Sequence, residues 1–164
     1  MDTQDPAWRR HRVEGVGLSF EVYEPWPLRT AGSAESGGVF QQVGNTDGVV
    51  FVRWGPEETI DAFVPRLSDY LTTAIVTGDD PVTFRGRSAR HLLARTERRA
   101  VRVYRPGPAG PTHSESPARV STVEAYGLVS RGKPFLIGHL LVEGTPEASV
   151  AGAERIVESV EWLD

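Results

Sequence analysis

The chain has 164 residues, 39% of them hydrophobic and 24% charged, the composition of an ordinary globular domain and not of a disordered segment. At this length a single domain buries roughly 70% of the surface its unfolded chain exposes, so a full core is expected without covalent staples. The absence of cysteine excludes disulfides, thiolate nucleophiles and thiolate zinc sites together.

The net charge of −4 is unevenly spread. Eight arginines (85, 87, 90, 95, 98, 99, 102 and 105) stand between Arg85 and Arg105 against one acid, Glu97, so this segment carries 8 − 1 = +7 and the remainder −11. Such an asymmetry is an electrostatic footprint for an anionic partner. Only Lys133 among the eighteen basic residues is a lysine, so part of the arginine content reflects coding bias. The first nineteen residues are interrupted by Asp2, Asp5, Arg9, Arg10, Arg12 and Glu14, which leaves no apolar core for a signal peptide. Nothing elsewhere reaches the roughly 20 apolar residues of a membrane-spanning helix. With Met1 as the native start, a cytoplasmic protein is expected.

Residues 1–14 are expected to form an N-terminal arm, and 15–164 a single domain. Leu18, Phe20 and Val22 alternate with polar neighbours over Gly17–Tyr23, the period of a half-buried strand, which Pro25 and Pro27 end. Residues 29–38 (RTAGSAESGG) offer nothing to bury and read as a flexible loop. Val39–Val43 and Val49–Trp54 flank an Asn/Asp/Gly-rich turn, predicting a hairpin. The spacing of Ile60, Phe63, Leu67, Tyr70 and Leu71 predicts a middle helix over Pro56–Thr73, interrupted at Pro65.

Strands are expected over Val82–Arg85, Ala89–Thr96 and Ala100–Tyr104, and a second flexible loop over 105–117 (RPGPAGPTHSESP). Arg119–Val129 and Pro134–Val142 pair across a four-residue turn. A C-terminal helix follows, with Thr145 as its expected N-cap, Pro146 in the first turn, and Val150, Ala153, Ile156, Val157 and Val160 as its apolar stripe. These elements amount to an α+β fold, an antiparallel β-sheet of six to seven strands covered by a middle and a C-terminal helix.

Four local patterns in this order resemble the PsbP-like fold family: Gly17-Leu18-Ser19-Phe20-Glu21-Val22 with Pro25-Trp26; the helix pattern Glu57–Leu71; Val82–Leu92 (VTFRGRSARHL); and Ile156–Trp162 (IVESVEW). The family includes a photosystem protein, a Ran-binding nuclear import factor, DcrB-like proteins, small lipoproteins, and Eag-type chaperones that hold apolar segments of secreted effectors. The resemblance implies an α/β/α sandwich. It also implies binding and assembly roles, because the family shares no active site. Two departures stand out: Trp26 follows Pro25 without a spacer, and there is no lipid-attachment cysteine.

Candidate chemistry is sparse. His139 falls on the strand face of Phe135, Ile137 and Leu141 and reads as a core histidine. His113 and Ser114 fall in the Pro/Gly loop, a poor scaffold for a catalytic pair. There is no HxH, HExxH or DxDxDG spacing and no glycine-rich phosphate loop, so no catalytic residue, metal or cofactor is expected. Asn45-Thr46-Asp47-Gly48 reads as a turn and not as a calcium loop.

The sharpest candidate contact surface is Arg95, Arg98, Arg99, Arg102 and Arg105 with His91. If shared on one face, these residues suit an acidic protein partner or, as an alternative, a small anionic ligand. Nucleic acid is not expected, because the rest of the chain is acidic and Tyr104 is the only aromatic among these arginines. A homodimer through a sheet edge or through Trp8 and Tyr23 is a further expectation. The leading reading is a binding or chaperone-like adaptor without enzymatic activity; the third reading, after the small-anion module, is an enzyme with an unfamiliar site centred on His91 or His139.

Overall fold

The computed structural model describes residues 7–56, 75–98, 101–105, 108, 110, 112–116 and 119–163. Its centre is a seven-stranded antiparallel sheet built from β3 (Leu28–Gly32), β4 (Gly37–Gln42), β5 (Val49–Trp54), β6 (Ile75–Phe84), β7 (Arg87–Arg98), β10 (Arg119–Ser130) and β11 (Lys133–Val142), in the order β3-β4-β5-β11-β10-β7-β6. A three-stranded sheet, β1-β2-β12, joins β1 (Trp8–Val13), β2 (Leu18–Tyr23) and β12 (Glu161–Trp162). A two-stranded ribbon pairs β8 (Val101–Arg105) with β9 (Thr112–Ser116). The one helix among the described residues is α1 (Glu147–Glu158).

Strand alternation gives the large sheet two apolar faces. Val50, Val52, Trp54, Phe135 and Ile137 join Leu18, Phe20 and Val22 of β2 and Ala153, Ile156 and Val157 of α1 in one core. Phe40, Phe51, Leu92, Ala94, Val123, Ala125 and Leu136 form a second core on the opposite face. Completely buried side chains such as Phe135 and Ile137 each contribute about 1.5–3 kcal/mol by leaving water. Gly138 sits between Ala125 and Phe51 in register, and a β-carbon there would collide with the Glu124 carbonyl oxygen and with Ala125.

The predicted hairpins 39–54 and 119–142 form, and a C-terminal helix packs on β2, β11 and β5. Several expectations need correction. Residues 8–13, read as an arm, are strand β1, paired along its length with β2. The loop expected over 29–38 is largely the β3–β4 pair. Strand β6 begins at Ile75, well before Val82. The loop expected over 105–117 contains β9, paired with β8. Thr145 is not the N-cap: Pro146 takes that position without a side-chain cap, while the Thr145 hydroxyl donates to the Val142 carbonyl at 2.5 Å. The middle helix predicted over Pro56–Thr73 lies, beyond Pro56, outside the described residues.

The two-residue turns Arg85-Gly86 and Arg131-Gly132 have positive φ at both positions (47° and 81°; 54° and 76°). This geometry matches the twist of the flanking strands but strains a non-glycine residue. At Arg85 the strain is offset by a bond, as its Nε donates to the Val160 carbonyl at 2.9 Å and ties the β6–β7 turn to the end of α1.

Candidate functional site

The register of the large sheet sets three rows of residues on its helix face, each running outward from β11 across β10 and β7 to β6. The rows are Leu141-Thr122-Arg95-Ile75, His139-Glu124-Leu93-Gly78 and Ile137-Tyr126-His91-Asp80. Helix α1 packs on the β11 end, where Ile137, His139 and Leu141 are buried. Toward β6 the rows emerge into solvent: Leu93 is 38% and Ile75 69% exposed. Large apolar side chains left bare on an otherwise covered sheet face mark a contact surface more often than scattered single residues do.

At the upper row this shelf deepens into a groove of about 460 Å³ lined by Arg95, Val120, Thr122, Leu141, Val142 and Val150. Its walls come from β10, β11 and the first turn of α1, with aliphatic groups and one guanidinium at the rim. Arg95 Nη2 lies 3.1 Å from Glu97 Oε1, and both side chains are exposed, so this pair adds little stability of its own.

Below the groove, His91 stacks on Tyr126 (5.0 Å, 22°), which stacks in turn on Phe84 (4.4 Å, 17°). His91 Nε2 is 3.7 Å from Glu124 Oε1. Burial, reinforced by Glu124 and Glu158, raises the Tyr126 hydroxyl above its ordinary range. Burial also holds the His139 imidazole below its ordinary pKa, against the opposing pull of Glu124 and Glu154. These groups form a packed aromatic and ionisable row. Among the described residues no three His, Cys, Asp or Glu side chains are grouped to hold a metal ion.

The predicted arginine surface is divided. Arg95 and Arg98 are three apart on one strand, so alternation assigns them to opposite faces. Arg98 is the register partner of Arg119; Arg102 and Arg105 of β8 lie opposite Glu115 and Thr112. Arg99 lies outside the described residues. The earlier arginines serve the fold: Arg87 sits over Trp162 at 4.8 Å, and Arg90 makes a two-pronged pair with Asp79, its Nε donating to Oδ1 at 3.0 Å. Of the residues singled out from the sequence, Arg95 lines the groove and His91 lies in the row below it, whereas Ile75, Leu93 and the groove itself were not singled out. The signals were present in the apolar doublets Ile75-Val76 and Leu92-Leu93, since adjacent strand residues face opposite ways.

The aromatics Trp8 and Tyr23 are engaged within the chain. Trp8 packs on Tyr23 (5.0 Å), Tyr23 on Trp26 (5.2 Å), and the Arg155 guanidinium covers Trp8 at 4.0 Å.

The architecture is thus an antiparallel β-sheet protein with one described helix on the large sheet and a second small sheet closing the core. Its fold is PsbP-like: the solution structure of cyanobacterial PsbP (CyanoP) from Synechocystis sp. PCC 6803 is similar to it with a TM-score of 0.57 and 12% sequence identity, covering 98% of this chain and 95% of that one. No protein-family model matches the sequence, and no curated protein matches it. No helix among the described residues is long and apolar enough to cross a membrane.

Proposed function

We propose that this is a non-enzymatic adaptor or chaperone-like domain that holds a segment of a protein partner on the uncovered part of its large sheet. The observation that carries the reading is the exposure of Leu93 and Ile75 beside the groove, on the face that α1 buries elsewhere. A partner segment placed there continues the layer that α1 begins, burying the apolar side chains at about 25 cal/mol per Å². The remaining edge of β6 is less suited to pairing: it carries a register shift between Val76 and Gly78, then Asp79, Asp80 and Pro81, all of which discourage a further strand. We therefore favour the face over the edge.

The α/β/α sandwich belongs to the same proposal. The small-anion reading is less favoured, because Arg87, Arg90 and Arg95 already have partners within the fold.

The test is affinity purification from the native host with the wild-type protein, Leu93→Glu and Ile75→Glu. A protein retained by the wild type and lost from both variants, each folded by circular dichroism, supports the proposal. Recovery of no reproducible partner, or of one that both variants retain, refutes it.

A further inference from the structure

Ion pairs are unevenly spread over the described residues. On the small sheet and its contact with α1, carboxylates are matched with arginines: Glu24 with Arg9, Glu14 with Arg12 at 3.9 Å, and Glu21 with Arg155 at 2.8 Å. Around the shelf and the groove they are not. Glu143 lines the groove, Glu124 stands in the row beside Leu93, and Asp80 lies opposite His91 on β6. Glu154 and Glu158 of α1 are close enough to act on His139 and Tyr126 respectively. All are exposed or half-buried, and among the described residues none is paired with a lysine or arginine. Arg95, which shares this face, is taken up by Glu97.

The imidazoles beside Glu124 leave it unmatched. His139, its register partner on β11, is only 8% exposed. Burial lowers the pKa of this ring, so it is uncharged at neutral pH. His91 Nε2 lies 3.7 Å from Glu124 Oε1, beyond hydrogen-bond range. Each ring keeps a buried nitrogen without a hydrogen-bond partner, Nδ1 in His139 and Nε2 in His91. Buried polar atoms left unmet are rare in folded proteins, and local rules are broken where function supplies the compensation.

We infer that the segment held on the shelf is cationic: its aliphatic side chains sit on Leu93, Ile75 and the groove, and its lysine or arginine side chains reach Glu124, Glu143 and Glu154. This rests on the proposed function, since it names the chemistry of the occupant. Ammonium and guanidinium groups carry N–H donors and no acceptor, which suits a surface of unmatched carboxylates and unmet imidazole nitrogens. An acidic segment would set like charge against like, at a cost in affinity. The sign is opposite to the one the arginine count suggested, because Arg87, Arg90 and Arg95 are engaged within the fold. A second copy of the chain is a poorer occupant, since copies with a net charge of −4 repel.

The test is fluorescence anisotropy with three short labelled peptides, alternating Leu-Lys, Leu-Gln and Leu-Glu repeats. The Leu-Lys peptide is expected to bind at least about tenfold more tightly than the Leu-Gln peptide, a difference of about 1.4 kcal/mol. Glu124→Gln/Glu154→Gln should remove that advantage. The control Glu14→Gln/Glu35→Gln, which changes net charge equally at exposed positions away from the shelf, should keep it. Leu93→Ser should weaken both the Leu-Lys and the Leu-Gln peptide. Equal binding of these two peptides, equal losses in the two glutamine variants, or tightest binding of the Leu-Glu peptide overturns the cationic assignment while the Leu93 effect still upholds the shelf. Loss of the Leu93 effect with the charge effect retained fails the shelf reading instead. Self-association abolished by Glu124→Gln/Glu154→Gln makes the occupant a second copy and overturns the inference.

Discussion

The Gln41 side chain closes a backbone pair with Tyr23: its Oε1 accepts from the Tyr23 amide at 3.1 Å, and its Nε2 donates to the Tyr23 carbonyl at 2.7 Å and to the Trp26 carbonyl at 3.1 Å. A buried amide on β4 thereby acts as one more strand residue for the end of β2 and joins the small sheet to the large one. Replacing it with leucine leaves one amide and two carbonyls without that partner. Gln41→Leu should destabilise the protein by about 3 kcal/mol, the cost of several unmet buried groups, measured as a drop in urea midpoint at unchanged slope.

Gly138 gives a steric counterpart. Because a β-carbon would meet the Glu124 carbonyl and Ala125 on the adjacent strand, Gly138→Ala should force β10 and β11 apart at the centre of the sheet. A loss of about 3 kcal/mol is expected, at the upper end of overpacking costs, read from the same urea titration.

His139 makes stability depend on pH. Its folded-state pKa is lowered, first by burial, with Glu124 and Glu154 opposing. The folded protein therefore binds fewer protons at this site than the unfolded chain. The contribution is complete above the ordinary imidazole pKa of about 6.5 and is lost as pH falls toward the folded value, levelling off below it. His11, lowered by burial and then by Arg9, acts in the same direction. Urea midpoints should fall between about pH 7.5 and 5.5, and His139→Gln should show a smaller fall; equal falls in both proteins would contradict the assignment.

Much of the large sheet was legible because its central strands bury alternate apolar residues: Val50, Val52 and Trp54, or Phe135, Ile137 and Leu141. The strands that went unread lack that signal. Strand β1 (WRRHRV) has three exposed arginines and is a strand because it pairs with β2; β3 (LRTAG) is mostly exposed; β9 (THSES) has no apolar residue at all. Each is specified by its partner more than by its own composition.

The site was half legible for a related reason. Arg95 and His91 announce themselves by chemistry. Leu93 acquires its meaning only when the register shows it in the row between buried His139 and Gly78 of the edge strand, beyond the part of the face that α1 covers. Arginine counting also overstated a single basic surface, because Arg87 and Arg90 are drawn into packing and pairing within the sheet.

The most direct measurement is site-specific photocrosslinking in the native host, with a benzophenone side chain at Leu93 or, for comparison, at Val129, which is similarly exposed at 43% but lies near the far end of β10. The account predicts a discrete protein adduct from position 93, lost when Ile75→Glu is added, and none from position 129. No adduct at 93, or equal adducts at both positions, would contradict it.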